Sequence, residues 1–110
     1  MEEITQKILT WQEVLQTHKQ QTAVRMIDEK LLSIICSPKQ NKILNRTEII
    51  YSIPNRKHYV KINEKMKQSV KKEPVQIFIK LNKNAWINSG FYHLVSYEVN
   101  QVATDFLFKK

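Results

Sequence analysis

The residues able to do chemistry in this chain are few and widely spaced. Three histidines, His18, His58 and His93, stand 40 and 35 positions apart, with no H-x-x-x-H or H-E-x-x-H pair to hold a metal. The one cysteine, Cys36, closes an apolar run with no cationic motif beside it, so it reads as a buried, inert thiol. A lone cysteine also excludes an internal disulfide and a cysteine-based zinc site. Acid–base work would need a carboxylate in an apolar pocket, but alternation along the chain sends Glu98 and Asp105 to the face opposite their apolar neighbours. Asp28 and Glu29 fall in a polar stretch. With Gly90 as the only glycine, no Gly-rich phosphate loop and no G-x-S-x-G elbow is possible. The sequence therefore carries no catalytic signature, and no cofactor or metal is expected.

Charge supplies the second signal. Eighteen Lys and Arg against ten Asp and Glu give +8. Most of the excess lies between Arg56 and Lys83, where Arg56, Lys57, Lys61, Lys65, Lys67, Lys71, Lys72, Lys80 and Lys83 face only Glu64 and Glu73. Such a segment can be an electrostatic footprint for nucleic acid or an acidic partner, with Tyr59 and Phe78 inside it to stack on bases. Against that stands composition. Lysine outnumbers arginine fifteen to three amid thirteen isoleucines and eight asparagines, which is what AT-rich coding produces. Dedicated phosphate readers favour the arginine fork.

These side chains must be positioned by elements that hydropathy periods can locate. Ile4, Ile8, Trp11 and Leu15 form one stripe, which predicts a helix over 3–17. A second helix is expected over 23–32. The Leu32–Cys36 run reads as a short strand stopped by Ser37-Pro38. Asn45 followed by Glu48 has the form of a helix N-terminus, predicting a short helix from Arg46 to about Ser52. Beyond Pro54 the period becomes two: His58, Val60 and Ile62 alternate with polar neighbours, as do Val75–Leu81, Phe91–Val99 and Val102–Phe108. Residues 82–90 read as a loop, and Asn100-Gln101 as a tight turn. Asn82, Asn84, Asn88 and Asn100 are the expected occupants of left-handed turn positions. Helices followed by antiparallel strands give an α+β domain over residues 1–110. No run is long and apolar enough to span a membrane, and the acidic start at Glu2 and Glu3 is unlike a signal peptide, so a cytoplasmic protein is expected.

Three segments, Glu29-Lys-Leu-Leu-Ser-Ile-Ile-Cys36, Asn45-Arg-Thr-Glu-Ile-Ile50 and His93-Leu-Val-Ser-Tyr-Glu-Val99, resemble in their order a small branch of the nuclear-transport-factor-like, ketosteroid-isomerase-related domains. The resemblance covers roughly residues 8–100. It implies N-terminal helices packed on a curved antiparallel sheet, cone-shaped and cystatin-like, with Phe91, His93, Val95 and Tyr97 lining the hollow. His93 and Tyr97 are then the polar groups of a pocket for a small apolar ligand, and Trp86, in its polar loop, caps the sheet or sits in an interface. Such domains continue into a further strand beyond the position of Lys110. An open edge after Phe108 and pairing into a homodimer are therefore expected. The leading expectation is a non-catalytic small-ligand or protein-interaction domain; the alternative is a nucleic-acid or acidic-partner module using residues 56–83.

Overall fold

A computed structural model describes residues 7–28, 30–39 and 41–110. Helix α1 (Trp11–His18) is followed by strands β1 (Val24–Ile27), β2 (Lys30–Cys36), β3 (Lys42–Asn45) and β4 (Glu48–Pro54). A 3-10 turn (Lys57–Tyr59) then leads into α2 (Val60–Lys67), and β5 (Val75–Asn82), β6 (Ala85–Val99) and β7 (Ala103–Lys109) complete the chain. The fold is α+β: two helices against an open seven-stranded sheet of order β1-β2-β5-β6-β7-β4-β3. Only β2 and β5 run parallel. The edges are β1 and β3. Strand β7 is paired on both sides, by β6 and β4, so the open edge expected after Phe108 does not exist.

Local chemistry explains why several elements differ from the periodic reading. The expected helix over 3–17 begins, among the described residues, only at Trp11. Thr10 Oγ1 accepts the Glu13 N–H (3.2 Å) while Glu13 Oε1 accepts the Thr10 N–H (2.9 Å), a reciprocal cap that fixes the start. The buried face is Val14 and His18, one turn apart. Ile8 precedes the helix and is exposed, and Ile4 lies outside the described residues. In place of the expected helix over 23–32 stands the β1–β2 hairpin. Val24 and Met26 alternate toward the core, and Asp28 takes the turn at φ 52°, a conformation its short polar side chain tolerates.

The Asn45/Glu48 signature is real but serves another element. Asn45 Oδ1 accepts both the N–H and the hydroxyl of Thr47 (2.8 Å each), and its Nδ2 donates to Glu48 (3.0 Å). This side chain mimics a backbone turn and joins β3 to β4 instead of opening a helix over 46–52. The expected strand at 58–62 is instead the 3-10 turn and α2, with Ile62 and Met66 on the buried face at helical spacing. The expected loop at 82–90 shrinks to a turn at Lys83-Asn84, after which β6 runs for 15 residues. The four asparagines stay out of the left-handed region; Lys19, Asp28, Lys71 and Gly90 occupy it. Asn82 and Asn88 instead accept backbone N–H bonds two residues on, at 2.8 and 2.9 Å.

Strand β6 organises the molecule. Its first half pairs with β5 and its second half with β7. A bulge places the extra residue Ser89 between Asn88 and Gly90, and this reverses which side chains face the main core. Before it, Ile87 packs on that core and Trp86 faces α1. After it, Tyr92 and Leu94 point inward. The main core joins Ile34, Ile77, Ile49, Phe106 and Phe108 from four strands to Met66 of α2. A smaller core of Val14, Phe78 and Trp86 seats α1 on the other face. Strands β1 and β4 stand five places apart, roughly 24 Å on a flat sheet at about 4.8 Å per strand, yet Val24 and Tyr51 line one cleft. The sheet is therefore curled. No helix among the described residues is long and apolar enough to cross a membrane.

Candidate ligand cleft and basic rim

The three residues expected to form a pocket do not converge. His93 is exposed on the outer face of β6, as is Phe91, whereas Tyr97 shares the face of its partner Phe106 and is exposed at its edge. The alternation holds over 91–94, with Tyr92 and Leu94 inward because the Ser89 bulge sets the parity, and a second bulge at Val95 reverses it for Tyr97 and Val99. Tyr97 lies against Phe106 (centroids 5.9 Å), with Lys67 Nζ 5.6 Å from its ring centre. Trp86 is in the other half of β6, buried beneath α1 and packed on Trp11 at 5.1 Å. None of the three lines the cleft between β1, β4 and α2.

That cleft encloses about 590 Å³ between the start of β1, the end of β4 and the underside of α2, within the roughly 300–1,000 Å³ usual for small-molecule sites. Its walls are Ala23 and Val24, Tyr51–Pro54, Asn41, Tyr59, Ile62 and Ala103. Each wall residue is placed by an element. Tyr51 and Ile53 alternate inward along β4, Ile62 is on the buried face of α2, and the 3-10 turn delivers Tyr59. Asn41 is fixed by Ser37: its N–H donates to the Ser37 carbonyl (2.7 Å) and its Oδ1 accepts the Ser37 N–H (2.9 Å). Because that backbone N–H can only donate, the amide oxygen must face it. The two Nδ2 hydrogens are left without a partner among the described residues.

The cleft wall carries no carboxylate and no imidazole. Burial, with the Cys36 thiol and the Tyr59 phenol nearby, pushes the Tyr51 phenol above its ordinary range, so it stays a neutral donor. Tyr51 and Tyr59 border the same space without their rings touching. Asp105, behind the wall, is committed: it accepts from Ser52 Oγ (2.6 Å) and from Asn100 Nδ2 (2.9 Å). Cys36 is fully buried and its thiol is pushed up to about 12 by desolvation. The arrangement can bind and orient a flat polar group.

The basic residues nearest this cleft follow an order that the alternating pattern concealed, whereas Lys72 lies beside Lys30, and Lys80 and Lys83 beside Trp11 and Trp86. Lys57, Lys61 and Lys65 recur at steps of four through the 3-10 turn and α2. The helix therefore turns them outward while Ile62 and Met66 turn inward. That spacing was present in the sequence and is the signal that would have located the rim. Arg56, Lys57, Lys61, Lys65, Lys71, Lys72 and Lys83 are all exposed and have no ion-pair partner among the described residues. Lys67 pairs with Glu64 (3.3 Å), and Lys80 lies over Trp86 at 5.9 Å. Of the two expected stacking aromatics, Phe78 is buried beneath α1 and unavailable, whereas Tyr59 is 41% exposed at the cleft mouth. Comparison with known proteins finds no matching family model, no matching curated protein and no matching solved structure. The reading of the site therefore rests on its own geometry.

Among the described residues no three His, Cys, Asp or Glu side chains gather as a metal site. Phe91 is exposed on the outer face of β6, whereas Tyr97 and Val99, paired with Phe106 and Thr104, are exposed on the core side at the end of β6, with Val102 in the following turn.

Proposed function

We propose that this domain is a non-catalytic nucleic-acid-binding module. One observation carries the reading: the segment 51–65 supplies both an aromatic, uncharged cleft and a row of unpaired cations beside it. Pro54, Tyr59 and Ile62 line the cleft, and Arg56, Lys57, Lys61 and Lys65 are interleaved with them on the solvent side. Adjacent residues are about 3.8 Å apart at Cα, so cleft and rim are within one nucleotide's reach of each other. Cations that track a backbone beside aromatic faces that take bases are the two components of strand binding. The neutral wall argues for binding without chemistry.

The test is fluorescence anisotropy with a labelled single strand of mixed sequence. Four phosphates neutralised on a single strand give a slope near −0.7 per contact, so affinity should fall roughly 50-fold between about 50 and 200 mM salt. Lys61→Glu with Lys65→Glu should weaken binding at least about tenfold at the lower salt. No anisotropy change at about 50 mM salt with tens of micromolar protein overturns the proposal.

A second reading, a homodimeric protein-interaction domain, draws support from Tyr97, Val99 and Val102, left exposed at the end of β6 and its following turn, because neighbouring surface apolar residues are a common mark of a contact face. A sedimenting species of twice the chain mass, lost on Val99→Lys, supports it. A strict monomer at tens of micromolar removes it.

A further inference from the structure

We infer that the Tyr51–Tyr59 cleft receives a single unstacked nucleobase of the bound strand and favours bases with a carbonyl edge, thymine, uracil or guanine, over cytosine and adenine. The inference rests on the nucleic-acid reading and specifies what the cleft does within it. The wall is apolar and aromatic, as a base taken out of its stack requires. The two tyrosine rings border the space without closing on one another, leaving Tyr59 as a half-exposed face at the mouth.

Selectivity follows from which polar atoms are left over. Asn41 has its oxygen occupied by the Ser37 N–H and so offers the cleft only its Nδ2 donors. The Tyr51 phenol, held protonated, can donate or accept and so does not discriminate. The Ser52 hydroxyl donates to Asp105 on the face of β4 opposite Tyr51 and Ile53. The Asn41 donors therefore set the preference, matching O4 of thymine or O6 of guanine. The exocyclic amines of cytosine and adenine would meet donors instead, and mismatched polar groups in a partly dry site are rejected. The phosphates flanking the base fall to the cations on either side of Tyr59, Lys57 before it and Lys61 after it.

The experiment compares oligothymidylate with oligocytidylate of equal length, two pyrimidine strands that differ chiefly at the edge, by anisotropy at about 50 mM salt. Thymidylate should bind about tenfold tighter. Tyr59→Ala should lower thymidylate affinity about tenfold and Tyr59→Phe should restore it, because the ring and not the hydroxyl does the stacking. Asn41→Ala should abolish the base preference. Tyr59 is a surface residue, so its variants keep the test valid even if Asn41→Ala fails to fold. Equal, salt-sensitive binding of both strands with no effect of Tyr59→Ala overturns the base pocket and leaves the strand-binding reading intact. Binding of neither strand overturns both.

Discussion

His18 and Ser33 are joined by a buried hydrogen bond of 2.6 Å that locks α1 onto β2. The imidazole's other nitrogen, Nε2, donates to the Thr22 carbonyl at 2.7 Å. That carbonyl can only accept, so Nε2 carries a proton, and in the neutral ring Nδ1 accepts from the Ser33 hydroxyl. Burial, opposed by the Thr22 carbonyl and reinforced by nearby Arg25, holds the imidazole below its ordinary range. The unfolded chain therefore binds this proton more readily than the folded one. Stability should be full above about pH 6.5 and should decline as pH falls from there through the depressed folded value. Urea midpoints across pH should show that limb, and His18→Gln should be less stable but flat over the same range. A limb that survives in the variant assigns it to another group. Glu13 and Glu48, also held low, act only below about pH 4.5.

Cys36 gives a direct probe of the main core. Its side chain is fully buried and its thiol is pushed up to about 12 by desolvation. At pH 8 it should resist a disulfide reagent for as long as the protein is folded and react within seconds in concentrated urea. The labelling rate should then track global unfolding, because its neighbours Ile34, Ile77 and Phe108 belong to the same packed cluster. Rapid labelling of native protein would mean that β2 opens locally.

The strands 75–81, 91–99 and 102–108 were legible because their apolar residues recur at period two along the sequence, although only β7 keeps that alternation unbroken in its burial. The misreadings have physical causes. Asn45 and Glu48 bond to each other at 3.0 Å in a turn as readily as they cap a helix, so the pair marks a chain reversal without deciding its kind. His58-Val60-Ile62 satisfies period two, while Ile62-Met66 satisfies period four. Only packing of Met66 among Val75 and Phe106 decides between them. His93 faces outward because of one inserted residue, since the bulge at Ser89 shifts the side chains from Gly90 to Leu94 to the other face until a second bulge at Val95 reverses the parity again. The basic rim was readable in composition, and its steps of four at Lys57, Lys61 and Lys65 were masked by the period-two pattern, whereas Asn41 gave no signal. Its role depends on a hydrogen bond to Ser37 that fixes the amide's orientation.

Gly90 is where that bulge is paid for in backbone freedom. Its φ of 97° is a conformation that side-chain-bearing residues rarely adopt, and a Cβ there would also stand 3.2 Å from Lys110 Nζ. The lysine tip can move; the backbone cannot. Gly90→Ala should cost about 1 kcal/mol or more, read from the urea midpoint with an unchanged m-value. The adjacent Ser89 hydroxyl is 2.6 Å from Tyr92 Oη, which itself donates to the Arg46 carbonyl at 3.1 Å. Tyr92→Phe leaves a buried hydroxyl and a carbonyl short of a partner and should cost about 1–3 kcal/mol.

The rim lysines should show opposite signs in stability and in binding. Lys61 and Lys65 are like charges one turn apart on the exposed face of α2, with no acidic partner among the described residues. Such a pair destabilises a helix by about 0.2–0.5 kcal/mol. Lys61→Gln should therefore raise the melting temperature slightly, and added salt should raise it for the native sequence by screening the same repulsion. If the row exists to meet phosphates, the same substitution should weaken strand binding and reduce the salt slope by about one contact's share, near 0.7. A variant that gains stability while its affinity and slope stay unchanged would leave the row as a solvated face with no partner. A variant that gains one and loses the other identifies the repulsion as something the bound strand relieves.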